Sequence, residues 1–196
     1  MRNILDLLTG TEKRNIIYKT LEMGDILFYE GDECECIGVV KGGYIVISSY
    51  TFSGNEIIYN TLESGDIFGN NLIFTNDKKY RGNVVAKEKS EVAIIKKNVL
   101  LNILKNNDEF LNEYLEIQSN FTRSLNTKLK LLAFDSALDR LYFYMSLNDN
   151  KITYKTITEL SNRLYIKRET LSRLLSKLEK SGEIVRDKNT IIYKNK

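Results

Sequence analysis

A stripe of apolar residues in the stretch 108–134 separates two dissimilar parts of this chain. The stretch has neither Gly nor Pro, and its apolar positions recur at spacings of three and four, the period of one helix face. Such a helix spans roughly 40 Å and is too long to be buried in a small domain. We predict that a second copy of the chain covers the stripe. An ordinary packing helix is the alternative, because Gln118 and Lys128 interrupt a strict heptad. The stripe comprises Leu111, Leu115, Gln118, Phe121, Leu125, Leu129 and Leu132.

Upstream of this helix, apolar runs of strand length are separated by turn signals. Gly-Asp occurs at 24–25, 31–32 and 65–66, where Gly supplies unusual backbone angles and Asp caps the turn. About eight short strands at this spacing predict a jelly roll or barrel, which can enclose a small ligand. The runs are Ile26–Glu30, Cys36–Val40, Tyr44–Thr51, Glu56–Leu62, Val84–Ser90 and Val92–Lys97.

Three segments of this first part do not follow the strand pattern. Residues 5–19 predict at most a short amphipathic helix. Residues 66–74 fit either a helical turn, whose first N–H groups face the cavity, or a bulged strand edge. Residues 97–106 predict a short helix that leads into the long one.

Downstream, the pattern is mainly helical. Asp135 is the expected cap of a helix over 136–147, and 151–155 reads as a short strand. Thr156 and Glu159 have the spacing of a capping box at the start of a helix that ends at Leu164. Tyr165 follows at a turn position that favours Gly, so we expect a bulky residue at positive φ.

A second helix over 167–180 would bury four leucines at positions 171, 174, 175 and 178. Ser181-Gly182 ends it, and residues 184–186 and 191–193 form a hairpin about 187–189. Two helices, a tight turn and a β-hairpin are typical of a winged helix-turn-helix.

The start of the second helix carries side chains suited to DNA. Arg can bind guanine O6 and N7, Glu can accept from cytosine N4, and Lys or Thr can hold phosphates. The alternative is a basic face that is only solvated. The predicted DNA-contacting residues are Thr156, Lys167, Arg168, Glu169, Thr170, Ser172, Arg173 and Lys177.

Charge and composition narrow the function. Residues 151–196 hold 12 Lys+Arg and five Asp+Glu, whereas residues 1–150 hold 17 and 21, so a basic C-terminal part joins a mildly acidic body. This asymmetry favours a polyanionic partner. The chain has no His, and its two cysteines, Cys34 and Cys36, are too few for an ordinary iron–sulfur cluster. Two reduced thiols are favoured over a redox sensor.

We therefore expect no cofactor, no metal site and no enzyme activity. There is no apolar run of 18 residues and no signal-peptide core at the N-terminus, so we expect a cytoplasmic protein without a membrane partner.

The chain resembles the Crp/Fnr family of the bacterial cyclic-AMP receptor protein over nearly its full length. The matching stretches are GDILFYEGDECECIGVVKGGYIVI, LESGDIFGNNLIF and, most specific, KRETLSRLLSKLEKSGEIV. The resemblance implies an α+β fold with a cyclic-nucleotide-binding-type jelly roll in 1–107, a dimerisation helix in 108–134 and a winged helix-turn-helix in 135–196. In that family an Arg, a Glu and an Arg read the bases, which here are Arg168, Glu169 and Arg173.

The resemblance also locates an effector pocket, whose residues depart from the cyclic-AMP form. The chain has Gly69-Asn70 in place of a Gly-Glu pair and Leu125-Asn126 in place of Thr-Ser hydroxyls. The phosphate-binding Arg is displaced by one position to Arg81, and such a shift on a strand turns a side chain to the opposite face. We therefore expect an effector other than cyclic AMP. The candidate pocket residues are Gly69, Asn70, Asn71, Tyr80, Arg81, Gly82, Leu125 and Asn126.

These features predict a transcription regulator that binds double-stranded DNA as a homodimer at a palindromic operator. A small effector, bound between jelly roll and long helix, would control it allosterically, and RNA polymerase is a further candidate partner. The alternative is a small-molecule sensor that acts through protein–protein contacts without specific DNA readout.

Overall fold

Two antiparallel four-stranded sheets form most of the N-terminal part of the structure, a computed structural model that describes residues 3–194. The strand orders are β1-β8-β3-β6 and β2-β7-β4-β5, which confirms the predicted jelly roll. The strands are β1 (Ile17–Leu21), β2 (Ile26–Phe28), β3 (Cys36–Gly42), β4 (Ile45–Tyr50), β5 (Glu56–Leu62), β6 (Ile67–Phe68), β7 (Asn83–Ala86) and β8 (Ser90–Lys96).

The three Gly-Asp turns share one geometry, as predicted. Each Gly has a φ of 93° to 96°, which a side chain would strain. Each Asp carboxylate accepts a hydrogen bond at 2.8 Å from the backbone N–H three residues earlier. The donors are Glu22, Tyr29 and Glu63.

The N-terminal segment differs from the prediction of a helix alone. A 3₁₀ helix (Ile4–Leu7) and α1 (Gly10–Lys13) are followed by β1, which pairs with β8. Only Leu21 of β1 is buried, so the strand lacks the alternating pattern that sequence analysis requires. Its structure comes instead from hydrogen bonding to a distant strand.

The bounds of two strands and the conformation of residues 66–74 also differ from the predictions. The strand expected over 84–90 ends at Ala86, and Ser90 begins β8. Residues 66–74 combine the two alternatives, because β6 is followed by a helical turn in which Leu72 and Ile73 donate to the Gly69 carbonyl at 3.0 Å.

The helices α2 (Lys97–Asn106) and α3 (Asp108–Ala133) follow the jelly roll, as predicted. Asn107 accepts a hydrogen bond from the Phe110 N–H at 3.0 Å and so caps the start of α3. Leu100, Ile103, Phe110 and Tyr114 are buried in the same hydrophobic core as strands β3 and β8. The contacts within the chain divide into two compact units between Asn120 and Phe121.

The predicted stripe on α3 is largely exposed in the single chain. Five of its members, Leu115, Phe121, Leu125, Leu129 and Leu132, are 40% to 58% exposed. Gln118 does not belong functionally to the stripe, because its side chain is hydrogen-bonded to the jelly roll.

The second unit contains α4 (Ala137–Ser146), β9 (Lys151–Thr153), α5 (Ile157–Leu164), α6 (Arg168–Lys180), β10 (Ile184–Asp187) and β11 (Thr190–Tyr193). Its sheet has the order β10-β11-β9, so the predicted wing has a third strand. The predicted cap of α4 at Asp135 is wrong. The Ser136 hydroxyl accepts from the Leu138 and Asp139 N–H groups at 3.1 and 3.4 Å. No helix in residues 3–194 is both long and apolar enough to cross a membrane.

Candidate functional site: nucleic-acid interface and effector region

The start of α5 is fixed by Thr156, whose hydroxyl accepts from the Glu159 N–H at 3.1 Å. The Glu159 carboxylate accepts at 2.7 Å from the Lys155 N–H, one residue before the donor of the predicted capping box. The Lys155 N–H and the Arg163 guanidinium lower the pKa of Glu159. The Thr156 hydroxyl remains exposed and keeps its proton for an acceptor such as a phosphate.

The turn between α5 and α6 is built on Tyr165. Its φ of 54° and ψ of 40° are left-handed, which confirms the predicted positive φ. The Tyr165 carbonyl accepts from Arg140 Nη1 at 2.5 Å, and Lys128 Nζ lies 5.6 Å from the ring centroid. The Ile166 N–H donates to the Ser161 carbonyl at 3.0 Å and closes the end of α5. Several contacts therefore hold a conformation that the residue type disfavours.

Helix α6 has one buried and one exposed face. Leu171, Leu175 and Leu178 are buried and Leu174 is half-buried, as the spacing predicts. The predicted DNA-contacting residues of α6 and its cap are all exposed: Lys167, Arg168, Glu169, Thr170, Ser172, Arg173 and Lys177.

A groove of about 440 Å³ runs along this exposed face. It brings together Ser172, Arg173 and Lys177 with two residues that sequence analysis missed, Ser176 and Lys180. Ser176 follows Arg173 by three residues and Lys180 follows Lys177 by three, and this helical spacing was the available signal. Within the described chain, Arg168 and Arg173 are in no ion pair, so their guanidinium groups are available to a ligand.

In the first unit, Asn70 is held by Gln118. Asn70 Nδ2 donates to Gln118 Oε1 at 2.9 Å, and Gln118 Nε2 donates to the Asn70 carbonyl at 3.0 Å. Gln118 Nε2 also lies 3.1 Å from the Tyr114 hydroxyl. We refer to these contacts as the Asn70–Gln118 clasp. Sequence analysis placed Gln118 in the stripe and missed its role here, although a polar residue at an apolar position was a signal.

Tyr80 lies inside the jelly roll. Its ring stacks on Phe28 with centroids 4.8 Å apart, and its hydroxyl has no hydrogen-bond partner in residues 3–194. A Cβ on Gly69 would lie 3.3 Å from this hydroxyl and 3.2 Å from Cys34 Sγ, so these groups surround the same small space. Burial, and then the Cys34 thiol, raise the pKa of Tyr80, so the hydroxyl stays protonated.

The other candidate pocket residues of this unit lie elsewhere. Arg81 is 72% exposed at its side chain and pairs with Asp77 at 2.5 Å, while Asn71 is also exposed. Gly82 is buried under Tyr59, since a Cβ there would lie 2.0 Å from Tyr59 Oη. The structure thus places Gly69 and Tyr80 around one space, holds Asn70 against Gln118 and turns Arg81 to the surface.

Leu125 and Asn126 lie on the part of α3 that belongs to the second unit, and both are exposed. Cys34 and Cys36 are buried free thiols. Burial raises the pKa of both, that of Cys36 to about 11. No group of three or more potential metal ligands is found in the described part of the chain.

Comparisons with known proteins agree with this architecture. The model of the cyclic nucleotide-binding domain matches residues 18–107. The anaerobic regulatory protein of Bacillus subtilis is 25% identical over 91% of this chain and 79% of its own length. The regulatory protein HlyX of Actinobacillus pleuropneumoniae is 28% identical over 89% of this chain and 77% of its own length.

A solved structure shares the fold. That of a CooA mutant from Carboxydothermus hydrogenoformans has a TM-score of 0.64 at 20% identity, covering 99% of this chain and 92% of that protein. The matched domain, the full-length similarity to regulatory proteins and the winged helix-turn-helix agree with one another. Residues 18–107 thus form a cyclic nucleotide-binding domain, and the homologues of the chain are transcription regulators of the Crp/Fnr type.

Proposed function

We propose that this chain regulates transcription as a homodimer that binds a palindromic DNA operator through α6. The observation that carries the proposal is the exposed face of α6, where unpaired cations lie opposite buried leucines. We assign residues 1–107 to effector sensing, 108–134 to dimerisation and 135–196 to DNA binding. RNA polymerase is the further partner that we propose for an activated promoter.

The residues at the start of α6 have different roles in this proposal. Arg168 and Arg173 each bind a guanine edge, and Glu169 accepts from cytosine N4. Lys167, Thr170, Ser172 and Lys177 hold phosphates, as does Thr156 at the start of α5. These phosphate contacts set the register of the helix in the major groove, and the three charged base contacts supply specificity.

Dimerisation is supported by the exposed apolar stripe on α3. Isolated apolar side chains are common on protein surfaces, but a contiguous row at helical spacing is typical of an interface. In a homodimer the two copies of α3 would bury this row against each other and set the separation of the two α6 helices, which must match one helical turn of DNA, roughly 34 Å.

We propose an effector other than cyclic AMP. Each missing charge-assisted bond to a cyclic phosphate costs roughly 1.5–3 kcal/mol. The Arg81 guanidinium is committed to Asp77 at the surface, and Tyr80 occupies the preceding position with a buried phenol. The Asn70–Gln118 clasp also occupies polar groups that a ribose would need.

The test is selection of bound sequences from random duplexes, followed by affinity measurements with Arg168→Ala and Arg173→Ala. Each substitution should cost about 1–3 kcal/mol on the selected site and much less on random DNA. Arg14→Ala, an exposed arginine of the first unit, is the matched control and should change neither affinity.

Equal losses on selected and random duplexes would contradict base reading by these arginines. If no sequence is enriched at all, the alternative of a sensor that acts through protein contacts is favoured.

A further inference from the structure

A second cavity of about 480 Å³ lies in the first unit, between β1, β2, the segment 33–36 and the end of β8. None of the candidate effector residues lines it, although two of its lining residues, Phe28 and Cys34, also border the space around Gly69 and Tyr80. Its volume is within the usual range of small-molecule sites, roughly 300–1,000 Å³. The cavity therefore adjoins the space around Gly69 and Tyr80, and the DNA-binding function does not explain it.

The floor of this cavity is apolar. Ile17 on β1 lies directly opposite Ile94 on β8, and Phe28 approaches from the other sheet. Cys34 and Cys36 complete the floor. Because burial raises the pKa of both thiols, they are neutral at pH 7 and behave as small apolar groups. This surface suits a hydrocarbon or aromatic body and offers little to a small hydrated ion.

The rim is cationic. Lys19, Lys78, Lys96 and Lys97 line the cavity against two acids, Glu33 and Glu35, which leaves an excess of two positive charges. None of these six residues is in an ion pair within residues 3–194. Lys97 Nζ is held 5.2 Å from the ring centroid of Phe74. The two acids therefore offset only part of the positive charge of the four lysines, and the rim keeps a positive potential.

We propose that this cavity binds a small organic anion with an apolar body, of the class of medium-chain or aromatic carboxylates. The body packs on Ile17, Phe28 and Ile94, and the carboxylate lies at the rim, where lysine ammonium groups donate charge-assisted hydrogen bonds. A neutral molecule of the same shape gains only the apolar contacts, and a small inorganic anion gains only the charge. The cavity thus selects for both properties together.

The experiment is calorimetric titration of the full chain with octanoate, and with octanamide as a neutral probe of the same length. We expect one octanoate per chain and binding of octanamide that is weaker by about tenfold. Lys19→Gln together with Lys96→Gln should weaken octanoate binding by about tenfold and leave octanamide binding unchanged. Both lysines are exposed, so folding should be preserved.

The matched control is Lys89→Gln with Lys105→Gln, two exposed lysines of the same unit outside the cavity, which should bind octanoate as the unmodified chain does. Ile17→Phe fills part of the apolar floor without changing charge and should weaken both probes. Equal affinities for octanoate and octanamide, full octanoate binding by the Lys19/Lys96 variant, or no binding at millimolar octanoate would each overturn the proposal. Binding to selected DNA is measured separately, so either proposal can fail alone.

Discussion

Tyr165 illustrates how one residue is held in a disfavoured conformation by its surroundings. A left-handed backbone costs an L-residue roughly 1–2 kcal/mol, a cost that glycine avoids. We predict that Tyr165→Gly will be more stable than Tyr165→Ala by about 1 kcal/mol, since both remove the ring and only Gly relieves the backbone. Urea unfolding of the two variants, followed by circular dichroism, measures the difference. Equal stabilities would mean that residue 165 leaves the left-handed region once the ring is gone.

Turn conformations and helix caps could be predicted from the sequence, but the exact residue that makes each hydrogen bond often could not. The three Gly-Asp turns follow from residue type, and the positive φ of Tyr165 follows from its position in the turn between two helices. The cap of α4 was misplaced by one residue because Asp135 and Ser136 are both good caps. The side chain of Glu159 likewise reaches the Lys155 N–H, one residue before the expected donor. Such choices depend on backbone angles that a pattern does not fix.

Gln118 shows a different limit at the residue scale. Its partner Asn70 is 48 residues away, and nothing in the local pattern of α3 indicates that the two will meet. The resemblance to the Crp/Fnr family implied that the usual ligands of cyclic AMP are replaced at Asn70 and at the displaced Arg81. In the structure, Asn70 is hydrogen-bonded to Gln118 and Arg81 is paired with Asp77. Contacts between distant elements are therefore the part of the effector region that only the fold provides.

At the scale of elements, long or strongly periodic segments were predicted well. Helices α2, α3, α5 and α6 and strand β5 all lie within one residue of their expected bounds. Strand β1 was missed because its side chains are mostly exposed and it depends on pairing with β8. Edge elements of this kind carry a weak sequence signal, because tertiary hydrogen bonds determine them.

The stripe on α3 yields a prediction at this scale. Leu129 is 58% exposed, so Leu129→Glu should leave the fold of a single chain intact. In a dimer, two such substitutions would remove apolar burial and oppose like charges, which should cost about 3 kcal/mol and raise the dimer Kd roughly a hundredfold. Sedimentation velocity over a concentration series measures this change.

The control for that substitution is Asn120→Glu, which adds the same charge on the opposite side of α3. It should leave the dimer Kd unchanged. If both variants remain dimers at the same concentrations, the stripe is not the dimer interface, and α3 is then an ordinary packing helix.

At the scale of the whole molecule, the two units differ in the sign of their net charge. The basic residues of 151–196 belong to the unit that carries α6, while the acidic excess belongs to the part that carries the jelly roll. A polyanion is therefore attracted to one unit and repelled from the other. Within the acidic first unit, four lysines line the second cavity. So small a cluster of positive charge suits a small anion better than a nucleic acid.

The salt dependence of DNA binding can count the subunits that contact the duplex. Each phosphate neutralised by a lysine contributes about 0.9 to the slope of log K against log salt. If Lys177 holds one phosphate in each of two symmetric subunits, Lys177→Gln should lower the magnitude of the slope by about 1.8, and by only about 0.9 if one subunit binds. Fluorescence anisotropy on a selected duplex at several salt concentrations measures it. Lys89→Gln, in the first unit, should leave the slope unchanged. An unchanged slope for Lys177→Gln would mean that this lysine is not in the interface. A change near 0.9 would contradict a twofold-symmetric complex, even if affinity and specificity were otherwise as proposed.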